Sequence, residues 1–155
     1  MNNVFELAEG VGHRGGLSVE IGTGPRVPGA QTGCLYIHDD AFSFIDPLLT
    51  KHAANYRPGA RYGVTEVAAD AWRAVAGDLR ALAERLATGV SPGDADISWI
   101  HTVDLDDDIE IDGATFRRRF DDPSQREGLR IFLASVADWI EGRLTRQTVL
   151  TVYGA

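Results

Sequence analysis

Residues 97–120 read ISWIHTVDLDDDIEIDGATFRRRF, and the reading of this stretch decides the fold. From Ile97 to Ile111 the odd positions run Ile, Trp, His, Val, Leu, Asp, Ile, Ile, while the even ones are mainly polar or acidic. A period of two marks a strand with one face buried. The run is longer than an ordinary strand, so a bend or bulge is expected near Asp104. Asp112-Gly113 then supplies a two-residue hairpin turn. With that turn, Ile111 pairs with Ala114, Ile109 with Phe116 and Leu105 with Phe120 on the core face. On the other face Glu110 opposes Thr115, Asp108 opposes Arg117 and Asp106 opposes Arg119.

Working outward, the clearest helix spans about Ala68 to Thr88, with Trp72, Val75, Leu79, Leu82 and Leu86 in one apolar stripe. Gly89 is placed to end it, and Pro92 prevents continuation. On the C-terminal side, Asp122-Pro123-Ser124-Gln125 offers a cap, a proline at the first helical position and a Gln at the third. The next helix runs to about Leu144, with Leu129, Phe132, Leu133, Val136, Ile140 and Leu144 facing inward. Thr148 to Tyr153 is a β-branched closing strand.

The first 32 residues are Gly-rich. Leu17, Val19 and Ile21 alternate with Ser18, Glu20 and Gly22 as a short half-buried strand, and 22–32 is a loop by composition. Gly33 to His38 is a second strand, with Leu35 and Ile37 on one face and Cys34, Tyr36 and His38 on the other. Asp39 or Asp40 can cap a short helix carrying Phe42, Ile45 and Leu49, which Pro47 kinks or restarts with Asp46 as cap. A Gly/Pro-bearing stretch, 56–63, comes next. Strands and hairpins without regular βαβ alternation predict an α+β fold, a mostly antiparallel sheet with about three helices packed against it. The expectation is one domain over 1–155, with 1–32 as N-terminal strand and loop and 33–155 as core.

Charge is distributed unevenly. No Lys or Arg occurs between Arg85 and Arg117, while Asp94, Asp96, Asp104, Asp106, Asp107, Asp108, Glu110 and Asp112 all fall there. These eight account for the formal net charge of −8, since the other 15 acids balance the 15 bases. Gathered charge makes a directional field that steers a basic partner. The acidic balance argues against nucleic acid and anionic membrane as ligands, which require clustered cations. A single cysteine, Cys34, forms no internal disulfide and fits a reducing cytoplasm. The opening MNNVFELAEG has no basic-then-apolar pattern, so no leader is expected, and no run reaches the length of a membrane span. Fourteen Arg against one Lys suggest a GC-rich bacterial source.

Catalytic signatures fail one by one. Gly24 and Gly29 have P-loop spacing, but Ala30 and Gln31 stand where Lys and Ser/Thr are required. Gly22 and Gly24 lack the third dinucleotide glycine, the position being Val27. Asp108, Glu110, Asp112 and Gly113 imitate the start of an EF-hand loop, yet its closing Glu is replaced by Arg119. His38 beside Asp39 and Asp40, and His101 before Asp104, have no second ligand at metal spacing; His101 reads as a hydrogen-bonded core residue. Cys34 and His38 lie four residues apart on one strand, roughly 13 Å, too far for a thiolate–imidazole pair. Cys34 therefore reads as a buried inert thiol. No cofactor and no metal is expected. Asp106 and Asp108 can be neutralised by the opposing arginines, whereas Asp94, Asp96, Asp104, Glu110 and Asp112 have no cation within the segment.

From Gly33 onward the order of features resembles small bacterial immunity proteins of polymorphic or contact-delivered toxin systems. The residues that carry the resemblance are Leu35-Tyr36-Ile37 with Ala41-Phe42, and Tyr62-Gly63-Val64-Thr65-Glu66-Val67 leading into the Trp72 helix. Trp139-Ile140 and the strand Val149 to Gly154 complete the pattern, which covers about four-fifths of the chain. The resemblance implies a non-enzymatic inhibitor that occludes a cognate toxin and carries no catalytic residue. Charge placement assigns the contact to Asp104, Asp106, Asp108, Glu110 and Asp112, with Asp94 and Asp96 on the rim. Two other classes are weighed beside it. One is an adaptor or self-associating subunit, with Trp99 or Trp139 between copies; the other is a small metal-dependent enzyme using His38 with Asp39 or Asp40.

Overall fold

The computed structural model describes residues 5–11, 18–26, 32–57, 63–98, 102–104, 109–111 and 113–154, with the backbone alone described at 10, 11, 32, 102–104, 109–111 and 113–115. The elements are β1 (Ala8–Val11), β2 (Ser18–Thr23), β3 (Thr32–His38), α1 (Asp39–Phe42), α2 (Asp46–His52), β4 (Val64–Ala68), α3 (Ala69–Ala87), β5 (Thr102–Asp104), β6 (Ile109–Ile111), α4 (Gly113–Arg118), α5 (Pro123–Leu144) and β7 (Val149–Tyr153). Single 3-10 turns occur at Asp94–Asp96 and Arg119–Asp121. Five strands form one antiparallel sheet in the order β1-β3-β2-β7-β4, and β5 and β6 form a separate antiparallel ribbon. The α+β class is as the sequence predicts.

Both long helices form where apolar residues recur at three- and four-residue intervals. Trp72, Val75, Leu79, Leu82 and Leu86 of α3 are all buried, as are Leu129, Phe132, Leu133, Val136, Ile140 and Leu144 of α5. Gly89 adopts φ +89°, and the N–H groups of Gly89 and Val90 donate to the carbonyls of Leu86 and Arg85, closing α3 with a left-handed glycine cap. At the start of α5, Asp122 accepts from Ser124 N–H at 2.9 Å, with Pro123 at the first helical position. The helices cover one face of the sheet, where Val19, Ile21, Leu35, Ile37, Val67, Leu150 and Val152 complete the core. Trp72 Nε1 donates to the Leu150 carbonyl at 3.0 Å, tying α3 to β7. Among the described residues no helix is long and apolar enough to cross a membrane.

Several sequence expectations are corrected. The chain after Asp112 is a helix, not a second strand; the hairpin closes earlier, with β5 paired to β6. Strict alternation through 113–120 would have set Arg118 on the core face between Phe116 and Phe120. A helical turn keeps both rings inside, at 1% and 0% exposure, and releases Arg118 to solvent. β5 ends at Asp104 and pairs antiparallel with β6, and the residues between them lie outside the described ones. The cap of α1 is His38, and Asp46 occupies the first turn of α2 behind Ile45. Finally, the strand at 18–23 is buried on both faces, and β1 pairs with β3 at the sheet edge where no strand was expected.

Candidate functional site

The acidic segment leaves α3 through Gly89 and Pro92 and makes the turn Asp94–Asp96. Asp96 is engaged twice: Oδ2 accepts from Gly93 N–H at 2.7 Å, and Oδ1 accepts from Arg85 Nη2 at 2.9 Å. Asp94 forms an ion pair with Arg117. Arg85 and Arg117 are the two bases that bracket the cation-free stretch, and the fold returns both to the acids at its beginning. Asp94 and Asp96, read as rim acids without a cation, therefore have partners within the fold. Arg117 pairs with Asp94; the expected partner Asp108 lies outside the described residues. The sequence offered no spacing rule for a pair 23 positions apart, only the bracketing itself.

The described residues before and after the ribbon are held to the body near one aromatic cluster. On the entering side, Ser98 N–H donates to the Ser43 carbonyl at 2.9 Å, next to Phe44. On the leaving side, Phe116 and Phe120 stack edge-on at 5.6 Å, and Phe120 meets Phe44 at 5.5 Å and 81°. Phe5 joins them from the N-terminal segment, 5.4 Å from Phe132. Ser91 Oγ donates to the Phe120 carbonyl at 3.1 Å, so the start of the segment also touches its end. Arg119 sits over the Phe116 ring at 5.3 Å, which leaves its charge outside the core.

Within the ribbon, Thr102 is opposite Ile111, Val103 opposite Glu110, and Asp104 opposite Ile109. Asp104 thus closes β5 and Glu110 is the middle residue of β6, without being cross-strand neighbours. Asp106, Asp108 and Asp112 lie outside the described residues, as do Asp107, Trp99 and His101.

Other chemistry-bearing groups are committed to structure. His38 Nδ1 accepts Asp40 N–H at 3.1 Å as the cap of α1, which uses the imidazole lone pair that a metal or a proton transfer would need. Cys34 is fully buried, and burial, with a smaller effect from Glu20, pushes its thiol up to about 11, so it stays protonated at neutral pH. Asp78 on α3 accepts from His52 at 2.6 Å and from Lys51 at 3.3 Å, which links α2 to α3 and lowers its carboxyl below the usual range. Among the described residues no group of three or more His, Cys, Asp or Glu is placed to hold a metal ion.

Two acids missed as interior residues are buried, Glu20 at 6% and Asp46 at 5% exposure. Glu20 lies between Tyr36 and Tyr153 in cross-strand register, on the face opposite the helices. Alternation in β2 suggested solvent on that face, but Cys34, Tyr36 and Thr151 are buried there too. Asp46 accepts a hydrogen bond from the Tyr56 hydroxyl. Compared with protein-family models, with curated proteins and with solved structures, the chain finds no match in any of the three. The functional reading rests on its own residues.

Proposed function

We propose that this chain is a non-enzymatic inhibitor, an immunity-type protein that binds a basic bacterial toxin in the cytoplasm and occludes it. The observation that carries the reading is the acidic span itself. With Asp94 and Asp96 matched by Arg117 and Arg85, six acids are left within residues 104–112, and two of them, Asp104 and Glu110, lie in a ribbon separate from the main sheet. Charge gathered in one short span favours rapid capture of a cationic surface. Toxins that act on nucleic acid carry such surfaces because phosphate binding demands them. The site asks for no cofactor and for no chemistry of its own.

The test is co-expression with the product of the adjacent upstream gene, pull-down, and association kinetics across a salt series. Raising ionic strength from about 0.05 M to 0.5 M shortens the screening length severalfold. The association rate with the partner should fall steeply over that range. Asp104→Lys and Glu110→Lys should each slow association while leaving the fold intact. A salt-independent rate, or unaltered kinetics in both variants, would refute the role of the ribbon; failure to relieve toxicity would refute the inhibitor reading.

A further inference from the structure

Among the described residues the five-stranded sheet ends at β4, and the hydrogen-bond pattern shows which way that edge points. Ala69 N–H donates to the Thr148 carbonyl at 2.9 Å and Gly154 N–H to the Gly63 carbonyl at 2.7 Å. Because antiparallel pairs alternate, 63, 65, 67 and 69 are the positions bonded to β7. Val64, Glu66 and Ala68 therefore turn their backbone N–H and C=O groups outward, and all three residues are exposed, Val64 at 41%. An outward row beginning with an exposed valine is a template for another strand.

One side chain interrupts it. Asn55 Nδ2 donates to the Glu66 carbonyl at 2.6 Å, which occupies the middle outward acceptor. The next residue, Tyr56, holds Asn55 in place. Tyr56 N–H donates to the Ala53 carbonyl at 3.0 Å, and the Tyr56 side chain, 3% exposed, is fixed by its bond to buried Asp46. The buried Tyr56–Asp46 bond, which serves no reaction, thereby positions the turn that carries Asn55. Glu66 adds a second obstacle. In a twofold antiparallel pairing of β4 with β4 of another copy, Val64 would oppose Ala68 and Glu66 would oppose Glu66. Like charges directly opposite are unfavourable. Arg26 N–H, donating to Glu66 Oε1 at 3.0 Å, holds that carboxylate at the edge.

We infer that Asn55 is an autoinhibitory stopper on a latent self-association edge: it keeps the sheet from continuing through β4 into a second copy of this chain, and Glu66 reinforces it. The inference is independent of the inhibitor reading. It is tested by sedimentation velocity over a concentration series on the full chain and on Asn55→Ala, Glu66→Thr and the double variant, each checked for native far-UV CD. The double variant should show a dimer with a self-association constant at least about tenfold above the parent, the equivalent of about 1.4 kcal/mol. Adding Val64→Pro, which removes an outward N–H at the first residue of the strand where proline is tolerated, should return association to the parent level. A folded double variant that associates no more than the parent overturns the inference, as does a dimer indifferent to Val64→Pro. Should the double variant not fold, Asn55→Ala alone decides. It frees the outward Glu66 carbonyl, and no rise in its association overturns the inference.

Discussion

Replacing Phe116 by Ala asks whether α4, and not a continued strand, anchors the acidic ribbon. Phe116 is 1% exposed and meets the rings of Phe120 at 5.6 Å and Phe44 at 6.1 Å. Burying a Phe side chain is worth about 1.5–3 kcal/mol in transfer alone. Truncation also leaves a cavity and removes the stacking on Phe44 and Phe120, which raises the expected cost to about 3–5 kcal/mol. For a domain of this size that is a drop of about 6–20 °C in melting temperature. Arg118→Ala is the control. Arg118 is exposed on the helix, so its truncation should stay within about 0.5 kcal/mol. In a strand continuing the alternation, Arg118 would share the core face with Phe116 and Phe120 and its loss would register. Urea unfolding of the three proteins, followed by far-UV CD and tryptophan fluorescence, measures both effects. A Phe116→Ala cost under about 1 kcal/mol, or an Arg118→Ala cost matching it, would refute the placement of α4 against the core.

Local geometry sets three further outcomes. A Cβ at Gly22 would stand 2.7 Å from Tyr153 Cε2 and 3.6 Å from Cys34 Sγ, so Gly22→Ala should destabilise by about 1–3 kcal/mol and alter the near-UV tyrosine signal. Trp72→Phe removes the indole N–H that reaches the Leu150 carbonyl and should cost about 1–3 kcal/mol in thermal denaturation, more than a hydrophobic swap of equal volume. Asp78→Asn tests the bond from His52 and the weaker contribution of Lys51, which together lower the Asp78 carboxyl in the folded state. A lowered folded value means that the extra stability is complete above the ordinary aspartate range near pH 4 and is lost as pH falls through the folded value. At neutral pH the variant should be less stable by under about 1 kcal/mol, since the pair is partly exposed, and the gap between the two proteins should close toward pH 2.

The two long helices were legible because periodicity and punctuation agree. A three-four stripe ends at Gly89 in one case and begins at Asp122-Pro123 in the other. The stretch 113–120 was not, because Phe116 and Phe120 are four residues apart, a separation that satisfies a period of two as well as one of 3.6. The unfavourable position of Arg118 was the one signal within the stretch that separated the two readings. β1 was hidden because AEGV has no alternation; it exists through backbone pairing with β3, which no side-chain pattern announces. Glu20 was misplaced for a related reason, since alternation reports which residues are polar and not whether a second face is covered. The ion pairs Arg85–Asp96 and Arg117–Asp94 depend on how the chain returns on itself, and the second joins residues far apart in sequence. Both rim acids were thus visible as acids and invisible as partners.

Those two pairs alter what the charge distribution means. Six acids sit in residues 104–112, while the other seventeen stand against all fifteen bases, so three quarters of the net charge of −8 belongs to nine residues. Six acids in nine consecutive residues are near neighbours along the chain, and with a screening length of about 8 Å at physiological ionic strength neighbouring charges are felt together rather than singly. Such a group repels itself, and a two-stranded ribbon has little intrinsic stability with which to resist. Stability has to come from its ends, where Asp94–Arg117, Ser98–Ser43 and the Phe44–Phe116–Phe120 stack hold the segment to the body. The anchoring bases are placed at the base of the ribbon, where they neutralise the acids that the body can spare. Charge that served only solubility would need no such support, and scattering it over the surface would avoid the repulsion altogether. Concentrating it in one short span makes physical sense where a cationic partner relieves the repulsion on binding, which is the expectation on which the proposed inhibitor role rests.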